Sequence, residues 1–142
     1  MANSLDMQIA EEGPRNAVVK LTGVLDSGDI VEQSAIAISD FTNNDAQQNL
    51  VGFRVDVLEW SISTGLEVLL EWNSLTPKQI YPLAGRGHFV GKNYGGFLPD
   101  QTRPGYDGSI NLRTTGATSG TFVSGQICNF SIILELVKLY RR

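Results

Sequence analysis

The sequence predicts an all-β fold, an antiparallel β-sandwich of jelly-roll type with a long glycine-rich loop region. Three observations carry that expectation. Apolar and polar side chains alternate with period two through most of the chain. Gly, Pro, Asn and Asp clusters break the alternation about every 8–12 residues, and no segment shows a sustained helical period.

Leu5, Met7 and Ile9 alternate with Asp6 and Gln8, as in a half-buried strand, until Glu11, Glu12, Gly13 and Pro14 break the pattern. A second strand runs from Ala17 to Leu25, rich in β-branched residues, and ends in the turn residues Asp26 to Asp29. Ile30 to Ile38 reads as a third strand, with helix as the competing reading because alanines favour it. Residues 39 to 51 hold many short polar side chains that compete with regular backbone bonding, so a loop or one short helical turn is expected.

From Phe53 to Ile62 the apolar positions change parity, with Phe53, Val55 and Val57 on one face and Leu58, Trp60 and Ile62 on the other. A bulge near Val57 and Leu58 accounts for the change. Ser63, Thr64 and Gly65 separate this strand from Leu66 to Trp72, and the two read as a hairpin. After a turn at residues 73 to 78, residues 79 to 83 form a strand whose Pro82 assigns it to an edge or a strand end. Seven glycines between Gly85 and Gly108, with Pro99 and Pro104, predict a long irregular segment. Ser109 to Arg113 alternates again, residues 115 to 120 turn, and Ile127 to Tyr140 closes the chain. Fourteen residues would span about 46 Å as one strand, so a bend or bulge is expected within it.

A chain of 142 residues fits one domain, 1–142, in which residues 1–14 are either an arm that detaches or an intramolecular first strand. Hydrophobic residues make up 42% and charged residues 18%, a globular balance. Eleven Lys and Arg against fifteen Asp and Glu give a net charge of -4, which disfavours nucleic-acid binding. The start lacks the basic and apolar regions of a signal peptide, and no apolar run approaches the roughly 20 residues of a spanning helix, so a soluble, unprocessed chain with no membrane partner is expected. The single cysteine, Cys128, excludes an intramolecular disulfide and a Cys-based zinc site.

His88 is the only imidazole, and no Gly-x-Ser-x-Gly elbow accompanies it, so a hydrolase triad is not expected. Residues 85 to 92 (GRGHFVGK) miss the spacing of a dinucleotide loop, and Asn93 follows the lysine where a phosphate loop has Ser or Thr. No catalytic residue, cofactor or metal site is assigned. Glu67 and Glu71 share a face that reads as solvated, and Cys128 sits among apolar residues where a thiol is inert. Trp60 and Trp72 continue apolar stripes and, with Phe130, Ile132 and Leu134, are expected in the core. Exposed, the two tryptophans would instead suit a carbohydrate-binding module.

Candidate partner-binding residues fall into two groups. Leu5, Met7 and Ile9 offer alternate side chains that could add to a neighbour's sheet edge. Arg86, Lys92 and Arg103 concentrate positive charge in an acidic chain, and Tyr94, Phe97 and Tyr106 lie in the same segment as candidate anchors. Solvated loop charge and aromatics capping their own core are the competing readings.

Residues 5–26 (LDMQIAEEGPRNAVVKLTGVLD) resemble small virion structural proteins of tailed-bacteriophage morphogenesis modules. Residues 58–63 (LEWSIS), 82–87 (PLAGRG), 108–112 (GSINL) and 134–138 (LELVK) extend the resemblance along nearly the whole chain. Within that class the resemblance implies a non-enzymatic capsid decoration, or cement, protein. Such a protein is made in the host cytoplasm, sits on the outer capsid surface and binds the major capsid protein. It also binds itself as a homo-oligomer, a trimer being one form the resemblance allows. A head-completion or tail protein is the alternative within the class.

Overall fold

The structure is a computed structural model that describes residues 3–26, 28–42, 48–117 and 127–141. The loop expected over 39–51 and the turn expected over 115–120 lie partly outside the described residues, as do the first two residues of the arm. The described residues form nine strands: β1 (Ser4–Glu12), β2 (Asn16–Leu25), β3 (Gln33–Ile36), β4 (Asn49–Ile62), β5 (Glu67–Trp72), β6 (Lys78–Ala84), β7 (Arg86–Val90), β8 (Ile110–Thr115) and β9 (Cys128–Arg141). The helices among the described residues are two 3-10 turns, Ile38–Asp40 and Gly91–Tyr94. None is long and apolar enough to cross a membrane.

Two antiparallel sheets pack face to face, one in the order β1-β2-β9-β4-β7 and the other β3-β8-β5-β6. The pairings nest, with β2 on β9, β3 on β8, β4 on β7 and β5 on β6. A single ribbon of paired strands is therefore folded over on itself, and the contacts of β9 with β4 and of β8 with β5 complete the two sheets. This wrapping is that of a jelly roll, with β1 added outside β2.

Period-two patterning positions the core as expected. On β2 the residues Ala17, Val19, Leu21 and Leu25 are buried, and on β9 so are Phe130, Ile132, Leu134 and Leu136. Leu66, Val68, Leu70 and Trp72 face them from β5 and the residue before it. Trp60 is an exception to the expected core set: it is only half-buried at the rim, where its indole N–H donates to the Ala84 carbonyl at 3.0 Å.

Several local expectations are corrected. The apparent hairpin of residues 53–62 and 66–72 is not one, because β4 and β5 belong to opposite sheets. Residues 63 to 66 carry the chain across the sandwich, with Gly65 at φ 84°, and the real hairpin is β5 with β6. The parity change in β4 arises at Asp56, just before the predicted place, where the ladder with β9 shifts between Val55 and Val57. A second shift falls between Leu50 and Gly52, so both extra residues lie on β4, and β9 itself runs through its ladder with β2 without a bulge.

β1 continues through Glu11 and Glu12 with a bulge after Ile9, whereas the third strand is only Gln33–Ile36. Pro82 lies on β6, an edge strand, as expected. The glycine-rich region opens with an unexpected strand, β7. Gly87 lies opposite Trp60, and the indole fills the space that a β-carbon would occupy.

Candidate interaction surfaces

The outer face of the five-stranded sheet is read most simply as rows of directly opposed residues. One row runs Arg86, Ser61, Ser131, Thr22, Asp6, and the next runs His88, Glu59, Ile133, Lys20, Gln8. A shallow trough of about 290 Å³ lies across their β7 ends, lined by Glu59, Trp60, Arg86 and His88 among others. His88 Nε2 stands 3.7 Å from Glu59 Oε1, both side chains being half exposed. Cys128 is buried, and burial, followed by the nearby Asp29 charge, pushes its thiol pKa up, which removes thiolate reactivity.

The loop candidates divide. Tyr94 is 83% exposed and stacks on Phe89, with Lys92 exposed on the same 3-10 turn. Phe97 pairs through its backbone with Val55, and its ring packs on Phe89 and Tyr81, so it caps its own core. Tyr106 does the same. Its hydroxyl donates to the Val51 carbonyl at 2.9 Å and its ring lies over Gly52, while burial and then Asp107 push its pKa up to about 12. Arg103 donates to the Thr76 carbonyl at 2.7 Å, tying the loop to the turn after β5. Arg86, Lys92 and Tyr94 therefore remain available at the β7 end.

Leu5, Met7 and Ile9 lie at the opposite edge. They are half-buried against the core through antiparallel pairing of β1 with β2, so the N-terminal segment serves here as an intramolecular first strand. Four strand spacings, about 19 Å, separate it from β7, and the two candidate groups do not form one patch. The two tryptophans, on opposite sheets, offer no sugar-stacking surface, because Trp72 is buried and the Trp60 ring is occupied by Tyr81 and Gly87.

A third polar site was missed. Glu71 is buried rather than solvated: Oε2 accepts from Arg113 at 3.4 Å, while Oε1 has no hydrogen-bond donor among the described residues. Glu32 lies within hydrogen-bonding reach of it, and burial, then the Glu71 carboxylate, push the Glu32 pKa up to about 7 against the pull of Arg113. A neutral Glu32 supplies the donor that Glu71 lacks. The folded state thus holds a proton that the unfolded chain releases near pH 4.5, so the stability this pair contributes is full below about pH 4.5 and is lost progressively as pH rises to about 7.

Glu32→Gln keeps a donor without the charge. It is expected to raise the urea midpoint at pH 8 while leaving it nearly unchanged at pH 4, where the carboxyl is protonated in both states. The gain is about 1 kcal/mol, because Glu32 is solvent-screened. Equal effects at both pH values would contradict the shared proton. Among the described residues no group of three His, Cys, Asp or Glu side chains is placed to hold a metal ion. Compared with protein-family models, curated proteins and solved structures, the chain matches none.

Proposed function

We propose that this chain is a non-enzymatic structural protein of a tailed-phage virion, a capsid decoration protein that binds the major capsid protein shell and reinforces it. The observation that supports this reading is the nested jelly-roll ribbon, an architecture used for shell-building and surface-binding domains. Fold analogy alone leaves many functions open, and the resemblance of residues 5–26, 58–63, 82–87, 108–112 and 134–138 to virion structural proteins narrows it. The broad polar face and two open edges of the larger sheet fit a role in contacts between proteins.

Copy number tests the proposal directly. Quantitative mass spectrometry of purified particles is expected to find hundreds of copies per virion. Six or twelve copies would replace the decoration role with a neck or tail role, and absence from the particle would overturn the virion reading.

A further inference from the structure

We infer that copies of this chain join edge to edge, with β1 of one copy extending the five-stranded sheet of the next beside β7. The inference rests on the shell-protein reading for its setting, but its geometry stands on the strand register. Each neighbouring pair in the sheet is antiparallel, so β1 and β7, four steps apart, run in the same direction. Continuing the sheet by one molecule therefore places the two edges side by side as parallel strands.

The rows decide which side chains meet. The row that begins at Arg86 ends at Asp6, so an in-register continuation sets Asp6 of one copy beside Arg86 of the next. Both side chains are exposed, and neither makes a side-chain hydrogen bond or ion pair among the described residues. The row that begins at Val90 ends at Glu11, which brings that carboxylate toward Lys92 just beyond Val90.

On the other face the row from Phe89 ends at Ile9, through Leu58, Leu134 and Val19. The same junction thus sets two half-buried apolar side chains together. Opposite charges pair on one face while apolar area is buried on the other.

The same pattern argues against the symmetric alternatives. A two-fold β1-to-β1 contact would set the Asp6 and Glu11 carboxylates of two copies near one another, and a β7-to-β7 contact would do so for Arg86 and Lys92. Like charges at a junction cost affinity, whereas a head-to-tail contact between different edges satisfies both. Such a contact closes into a ring or runs as an open filament.

Charge exchange tests the contact. Wild-type protein, Asp6→Arg, Arg86→Asp and the double variant are examined by sedimentation and light scattering, with thermal melts to show that each exposed substitution leaves the fold intact. Wild type is expected to self-associate, each single reversal to weaken association about tenfold, and the double variant to recover it. A monomeric wild type at about 100 µM, single variants that assemble normally, or a double variant that fails to recover would each overturn the edge contact. Retained shell binding by a monomeric chain counts against the contact alone. Self-assembly of a chain absent from particles counts against the shell reading alone.

Discussion

Replacing Glu12 by alanine is expected to destabilise the protein by about 3–5 kcal/mol, because it strands a buried ammonium. The Lys138 side chain is fully buried, and its Nζ donates to Glu12 Oε2 at 2.7 Å and to the Thr42 carbonyl at 3.0 Å. The same Glu12 oxygen accepts from the Thr42 N–H at 2.7 Å, so one carboxylate joins β1, β9 and the segment before β4. Nearby, Tyr140 donates to the Pro14 carbonyl and the Lys138 N–H to that of Arg15, which fixes the β1–β2 turn to the end of β9. Lys138→Met removes charge and partner need together and should cost far less than Glu12→Ala.

The ion pair also predicts a pH response. Hydrogen bonds from Lys138, then Thr42, hold the Glu12 carboxyl below its ordinary value of 4.5. Its contribution is therefore full above about pH 4.5 and is lost as pH falls through the lower folded value. In urea melts between pH 3 and 6, wild type should lose stability more steeply than Lys138→Met. Equal slopes, or a Glu12→Ala protein as stable as wild type at pH 7, would reject the buried pair as a stabilising element.

How much of this was legible in the sequence depends on whether the signal was local. Alternation in residues 17–25 and 66–72 assigned those strands and their inward faces correctly, because burial on one side imposes period two whatever the topology. The crossing at Ser63 to Leu66 was not legible. A short turn with a glycine looks the same whether its strands pair in one sheet or part into two, and only the partners of β4, namely β9 and β7, distinguish the cases. β7 was hidden because Gly87 lacks the side chain that strand patterning needs, and the missing volume comes from Trp60 on another strand.

The sites follow the same division. Counting by twos from Ile132, Leu134 and Leu136 reaches Lys138, so its inward direction was written in the chain, although its partner 126 residues away was not. Parity likewise placed Glu71 on the outer face, and the misreading lay in assuming that face was open. The Glu32 carboxyl from before β3 and Arg113 from β8 meet Glu71 there, neither near it in sequence. Asp6 and Arg86 looked like unrelated surface charges until four successive registers placed them at the two ends of one row.

Trp72→Ala is expected to lower stability by about 3–5 kcal/mol, through lost transfer energy and the cavity left behind. Trp72 is only 4% exposed at the end of β5, where it pairs with Lys78 on β6 and Ile110 on β8. Its place is in the apolar cluster between the sheets, so its indole helps join the two sheets. Trp60→Ala supplies the comparison. That ring is half-buried at the rim, and its loss uncovers Gly87 and Tyr81 without opening the core, so a smaller penalty of about 1–2 kcal/mol is expected. Chemical denaturation of both variants should therefore rank Trp72→Ala well below Trp60→Ala, with the slope of the transition unchanged in each. Equal midpoints for Trp72→Ala and wild type would show that the sandwich does not depend on this ring, and a reversed ranking would move the centre of the core to the β4–β7 rim.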